Sequence, residues 1–285
     1  MEIKLLNLSH TYKGVTKSDL VEAVDDVNLS IAGTGEFVAV CGKTGSGKST
    51  MIQHMNALLL PTAGSIDILG SVVTPKKRKN PKLTPIRKKV GFVFQFPEYQ
   101  LFEETVLKDI MFAPKNFGCT EEEAEEKALK ACELLGIDKS LLKKSPFDLS
   151  GGQMRKVAVA GILAYEPEVL ILDEPTRGLD PEGAVEIMEL FYKIHKDMNK
   201  TVILITHDMN IVYKYATRVI VMADGKLAYD GDKVKLFKED IYSQYDLDKP
   251  EVLKAIDNIN EQMGYNIDYN NFTLEDLLKS LKEVA

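Results

Sequence analysis

The chain has 285 residues, 45% of them hydrophobic and 28% charged, with a formal net charge of −7. That balance fits one large soluble domain with a small addition, and the acidic excess argues against a general nucleic-acid binder, which carries a basic face. Three cysteines, Cys41, Cys119 and Cys132, lack metal or redox spacing and fit a reducing cytosol; the start MEIKLLNLSHTY is not a signal peptide, and no apolar run approaches the ~20 residues of a spanning helix.

The first informative stretch is EFVAVC (36–41), a Val-rich run that predicts a buried strand. GKTGSGKST (42–50) follows it and fits G-x-x-x-x-G-K-[ST] with a strand before and a helix after. The glycines let successive backbone N–H groups face one point, and the helix N-terminus adds partial positive charge. Gly42, Lys43, Thr44, Gly45, Ser46, Gly47, Lys48, Ser49 and Thr50 are therefore expected to cradle the phosphates of a nucleotide. Lys48 would reach the β- and γ-phosphates, Ser49 would ligate Mg2+, and Thr50 would lie near the α-phosphate. Beyond them Met51, Met55, Leu58 and Leu59 recur at helical spacing.

GSIDILG (64–70) and KKVGFVFQ (88–95) predict strands. The basic stretch KKRKNPKLTPIRKK (76–89) reads as a solvated loop between them, the alternative being contact with acidic lipid headgroups or an acidic partner. From Thr105 to about Leu163 the pattern is mostly helical, and Thr120 with Glu123 forms a capping-box signature for a helix through about Leu135. VLILD (169–173), TVILIT (201–206) and RVIVM (218–222) are continuous apolar runs, which suit strands buried on both faces of a parallel sheet. Ile187, Leu190, Phe191 and Ile194 mark a crossover helix, and ADGK (223–226) signals a hairpin turn. After about Val234 the chain is more polar and ends in two amphipathic patterns, KPEVLKAIDNINEQM and TLEDLLKSLKEV.

Two acids end the VLILD strand. A charged pair there needs a cation or a ligand: Asp173 is placed to hold the Mg2+ shell, and Glu174 to polarise the attacking water as general base. His207 follows TVILIT, at the strand tip where ligands bind in open α/β sheets, within reach of a γ-phosphate. His10, His54 and His195 have no partner spacing and receive no role.

In order, GKTGSGKST, Gln95 after a strand, LSGGQ (149–153), VLILDE, GLD (178–180) and His207 resemble the ABC-type ATPase family over roughly residues 1–235. The resemblance implies an α/β P-loop NTPase fold of ABC type: a RecA-like core, an antiparallel β subdomain, a helical subdomain at about 98–165, and a small C-terminal helical appendage at 236–285. It implies ATP and Mg2+ as cofactors, with Ser49, Gln95 and Asp173 around the metal and Glu174, His207, Gln95 and Lys48 in catalysis. Tyr12 would stack on adenine. Ser150, Gly151, Gly152, Gln153 and Asp180 would complete the nucleotide site of a second chain packed head to tail.

FQFPEYQLF (94–102) narrows the resemblance to the ATPases of energy-coupling factor transporters, importers of vitamins and metal ions. Phe94, Phe96, Pro97, Leu101 and Phe102 surround Glu98 and Glu103, an apolar groove with acidic edges suited to a basic coupling helix. The implied partners are a second ABC-type ATPase, paralogue or self, a transmembrane coupling subunit and, through it, a substrate-binding membrane subunit. No nucleic acid is expected, and the implied location is the cytoplasmic face of the cell membrane. The C-terminal helices would pack on their own domain or strengthen the pairing, with the resemblance favouring the second. Two other readings are an ABC-type ATPase acting on nucleic acid or ribosomes, and a module that holds ATP without turnover.

Overall fold

In the computed structural model, residues 1–14, 20–76, 80–270 and 273–284 are described. Strands β1 (Glu2–Lys13) and β2 (Leu20–Ala32) form an antiparallel pair. β3 (Phe37–Cys41) leads through the glycine loop into helix α1 (Lys48–Met55). β4 (Ala63–Ile68) and β5 (Ser71–Val73) add to β1, giving the sheet order β2-β1-β4-β5. Helix α2 (Leu83–Lys89) precedes β6 (Val90–Val93). Three helices follow, α3 (Val106–Asn116), α4 (Glu121–Leu134) and α5 (Gly151–Leu163). The chain then alternates through β7 (Val169–Asp173), α6 (Pro181–Met198), β8 (Thr201–Ile205), α7 (Met209–Tyr215), β9 (Arg218–Ala223) and β10 (Lys226–Asp232). It closes with α8 (Lys233–Lys238), α9 (Glu251–Met263) and α10 (Leu274–Val284).

The second sheet has the order β10-β9-β3-β8-β7-β6, parallel except for β10. Its strands are buried on both faces, so alternation of side chains sorts them into two cores. Val38, Val40, Ile171, Ile203, Ile205 and Ile220 face α1 and the antiparallel sheet. Phe37, Ala39, Cys41, Leu170, Leu172 and Leu204 face the helices α3 to α9. The parallel order β3-β8-β7 places the ends of these strands side by side, and with them the phosphate loop, Asp173–Glu174 and His207.

Several elements depart from the sequence reading. α1 stops at Met55: Ala57 sits at φ 53°, turning the chain, and Leu58 is exposed. Residues 83–89 are helical, not a loop, because Ile86 is buried and Arg87 donates to Ala57 O at 3.1 Å. Lys88 and Lys89 thus belong to α2 and not to the strand. Residues 77–79 of the basic stretch lie outside the described residues. The Thr120–Glu123 capping box is formed, with N–H to side-chain distances of 3.2 and 2.8 Å.

The last helices pack on their own chain. Val252, Leu253, Ile256, Ile267 and Leu277 are buried in the same core as Tyr213 and Phe237. Polar ties reinforce this: Tyr269 donates to Asp257 Oδ1 at 2.5 Å, and Lys249 Nζ donates to Tyr269 Oη at 2.6 Å. α10 leaves Leu274 and Leu278 exposed. Among the described residues no helix is long and apolar enough to cross a membrane.

Candidate functional site: a phosphate loop at the end of the parallel sheet

The loop from Gly42 to Gly47 joins a fully buried strand to an exposed helix start, and its geometry depends on glycine. Gly42, Gly45 and Gly47 have φ of 134°, 83° and 96°. A Cβ on Gly42 would lie 2.2 Å from Met222 O, and one on Gly47 2.2 Å from Ala23 O. The loop is therefore wedged between β9 and β2, with Gly225 N donating to Ser46 O at 3.2 Å. Lys48 Nζ points into the loop and donates to Gly42 O at 2.6 Å and Lys43 O at 2.7 Å. Its ammonium thus lies against the loop's carbonyls and 3.5 Å from Ser46 Oγ. Ser49 and Thr50 follow in the first turn of α1.

Acids close the site from β7. Burial, then the charge of Glu174, raise the Asp173 carboxyl above its usual range, and Lys48 offsets part of this. Burial lowers Lys48, opposed by Cys41, Glu174 and Asp173. These mutual influences place one ammonium among two carboxylates. A hydroxyl, a carboxylate and an amide (Ser49, Asp173 and Gln95) are oxygen donors of the kind Mg2+ takes, and burial is the main reason the Asp173 carboxyl is raised.

Glu174 sits at φ 49°, outside the strand geometry of its neighbours, with its N–H donating to Ile205 O at 3.0 Å. Such a conformation costs a non-glycine residue about 1–2 kcal/mol. It turns the carboxylate to His207, whose Nδ1 lies 2.9 Å from Glu174 Oε1. The His207 side chain is 79% exposed and that of Glu174 17%, so the histidine stands at the surface over a largely buried carboxylate. Cys41, below the loop, is buried, which pushes its thiol up to about 12 and leaves it unreactive.

Tyr12 is exposed at the end of β1, with its hydroxyl 3.2 Å from Thr50 Oγ1. Behind it stands a pair the sequence spacing did not reveal. His10 packs edge-on against Tyr12 at 4.6 Å, and His10 Nδ1 lies 3.1 Å from His54 Nε2. His54 Nδ1 is 2.7 Å from Thr50 O and must donate to it, so its Nε2 accepts and His10 Nδ1 carries the hydrogen. Strand and helix thus bring together two histidines 44 apart in sequence, a partner that spacing along the chain did not show. His195 stays structural, bound through Nδ1 to Lys200 O at 2.8 Å and buried against Phe37.

Burial holds the His54 imidazole down to about 4. The unfolded chain, near 6.5, then binds a proton that the folded chain refuses, so stability is complete above about pH 6.5 and falls as pH drops towards 4. Between pH 7 and pH 5 this group is expected to remove about 2 kcal/mol of stability. Urea melts of the wild type and His54→Gln at the two pH values check it: the variant should lose most of that acid dependence.

Ser150 caps α5, accepting from Gln153 N at 3.4 Å while Gln153 Oε1 accepts from Ser150 N at 3.0 Å. Asp180 caps α6, accepting from Gly183 N at 2.7 Å. A Cβ on Gly151 or Gly152 would meet nothing within 4 Å. Among the described residues no close approach within the chain calls for glycine at the first turn of α5.

Comparison with known proteins settles the family. The ABC transporter profile matches residues 24–177. The chain belongs to the ABC transporter family. It is 50% identical to the energy-coupling factor transporter ATP-binding protein EcfA2 of Bacillus thuringiensis (strain Al Hakam), over 100% of this chain and 96% of that protein. It is 49% identical to EcfA2 of Clostridium tetani (strain Massachusetts / E88), over 100% and 97%. Among solved structures, cbiO1 from Clostridium perfringens, part of the ABC transporter complex cbiONQ, aligns with a TM-score of 0.73 at 34% identity, over 92% of this chain and 95% of that one. An ATP-binding cassette solved as a dimer in a post-hydrolysis state with ADP and Pi aligns with a TM-score of 0.70 at 32% identity, over 81% and 98%. As an ABC ATPase, the chain binds and hydrolyses ATP.

Sequence reasoning missed two side-chain pairings. One is the histidine pair behind Tyr12. The other is the fate of Glu98, read as an acidic edge of a docking groove. Its side chain is 15% exposed and forms an ion pair with the buried Arg155 at 3.1 Å. An arginine among the buried positions of the apolar helix α5 was the available signal for this pairing.

Proposed function

We propose that this chain is the ATP-hydrolysing subunit of an energy-coupling factor importer, working as half of a head-to-tail ATPase pair. The observation that carries the reading is the 2.9 Å contact between Glu174 and His207 beside the Lys48 loop, in a chain whose full length matches energy-coupling factor ATP-binding proteins.

The phosphate loop binds the nucleotide through its N–H groups, and Lys48 leaves its loop carbonyls for the β- and γ-phosphates. Tyr12 stacks on the adenine ring. Ser49, Asp173 and Gln95 hold Mg2+, which when bound neutralises phosphate charge. Glu174 accepts the proton of the attacking water, and His207 orients the carboxylate and faces the γ-phosphate. Ser150, Gly151, Gly152 and Gln153 of one chain close over the nucleotide of the other, with Asp180 at the seam. The open space at Gly151 and Gly152 supports this lid, since bare backbone admits a close approach.

Membrane coupling is assigned to the surface after Gln95. Tyr99, Phe102 and Phe112 are exposed, and Phe102 packs edge-on against Phe112 at 4.7 Å. With Glu98 committed to Arg155 and Glu104 paired with Lys108 at 2.6 Å, the acidic edge falls to Glu103, next to Phe102 in the chain. A basic, apolar helix of a membrane subunit fits it, and the vitamin or metal ion is selected by a further membrane protein. On this reading the chain works at the cytoplasmic face of the membrane.

Purification of the tagged chain from detergent-solubilised membranes tests the assignment. A multi-spanning membrane protein and an ATPase chain are expected to travel with it. Phe102→Asp should reduce the recovered membrane protein by about tenfold or more, the scale of losing one aromatic anchor. Recovery of ribosomes or nucleic acid in place of membrane proteins would overturn the reading.

A further inference from the structure

Arg155 lies five residues beyond Ser150 on α5 and is 5% exposed. Its guanidinium forks onto Glu98, with Nε 3.1 Å from Oε2 and Nη2 3.3 Å from Oε1. The remaining donors go to backbone carbonyls of two loops. Nη2 reaches Gln95 O at 3.2 Å, and both terminal nitrogens reach Arg177 O at 3.1 Å. Nη1 also lies 3.4 Å from Pro175 O. One side chain on the lid helix therefore holds the loop of Gln95, the loop between Glu174 and Asp180, and the turn that carries the exposed Tyr99.

Among the described residues no backbone N–H donates to the Gln95, Pro175 or Arg177 carbonyls, so Arg155 supplies their hydrogen bonds. A planar group with five donors satisfies two directions of backbone and a carboxylate at once. A lysine keeps the charge but concentrates its donors on one nitrogen and cannot span the three segments.

We propose that Arg155 is a positioning residue that makes these segments move as one body: displacement of the docking turn, or closure of the lid, carries Gln95 and Glu174 with it into or out of reacting geometry. The proposal rests on the roles given to Gln95 and Glu174 under Proposed function. Arg155 touches no reacting atom. It acts by fixing the main chain on either side of the groups that do, where small misplacements weigh heavily on the rate.

The test is steady-state ATP hydrolysis by the assembly that co-purifies with the full chain, together with binding of a fluorescent ATP analogue. Arg155→Lys is expected to lower kcat by about tenfold or more while KM and analogue affinity stay within about twofold, because the phosphate loop lies outside the Arg155 network. Glu98→Gln, which keeps an acceptor but removes the charge, should lower kcat by a smaller factor in the same pattern and serves if the Arg155 variant does not fold. Lys156→Ala on the same helix, whose exposed pair with Glu186 spans 2.7 Å, should leave kcat unchanged. Equal kcat in the wild type and both network variants overturns the positioning role, as does a fall in nucleotide affinity parallel to kcat, which marks a general loss of structure. Absence of hydrolysis by the wild-type assembly would instead defeat the ATPase-motor reading itself, so the two failures are distinguishable.

Discussion

Glu174→Gln is expected to slow ATP hydrolysis by about 10²–10⁴-fold, the range for loss of a positioned general base, with ATP affinity retained. The carboxamide is isosteric and keeps an oxygen for His207, so the 2.9 Å contact survives in altered form. What disappears is the basic site for the water proton. Because bound ATP would then persist, the variant should accumulate as an ATP-loaded pair of ATPase chains. Single-turnover hydrolysis and size-exclusion chromatography with ATP check both parts. A variant with the wild-type rate would remove Glu174 from the role of base, and a nucleotide-loaded chain that stays single would remove the lid function of Ser150–Gln153.

Gly47→Ala is expected to abolish measurable nucleotide binding and to destabilise the fold. Its φ of 96° is closed to an ordinary side chain, and the added Cβ would stand 2.2 Å from Ala23 O. The backbone conformation alone costs about 1–2 kcal/mol, and relieving the clash must move either the loop or β2. A total of at least ~2 kcal/mol should lower the melting temperature by about 5 °C or more in a domain of this size. Moving the loop turns its N–H groups away from their common focus, so fluorescent ATP-analogue binding should be lost along with the stability. Gly45→Ala makes a useful contrast. Gly45 also has a positive φ, but a Cβ there meets nothing within 4 Å, so that change should carry the conformational cost without the collision.

The legible parts of the fold were those written in local pattern. Apolar runs such as VLILD and TVILIT suited strands buried on both faces, and they pair as parallel neighbours. The capping box at Thr120 fixed a helix start because its partners lie three residues apart. α2 was hidden inside a basic stretch, since its single buried residue, Ile86, gives no periodicity. The early end of α1 was hidden too: Leu58 continues the helical spacing, but Ala57 breaks the backbone before it. In the site, the phosphate loop is contiguous in sequence and its spacing names it, whereas His10–His54 and Glu98–Arg155 join residues 44 and 57 apart.

What the sequence determined by itself was the chemistry: a glycine loop with Lys48, two acids ending a buried strand, a histidine ending the next, and a family resemblance borne out over the whole chain. Those signals are short because phosphate binding needs successive N–H groups and a strand end needs only its last residues. Only the tertiary structure decided which charges are already spent, placing Glu98 on Arg155, His54 on His10 and the C-terminal helices on their own core. The physical reason is that a charge or a ring acquires its partner through packing between elements, and no spacing along one element encodes which distant side chain will satisfy it.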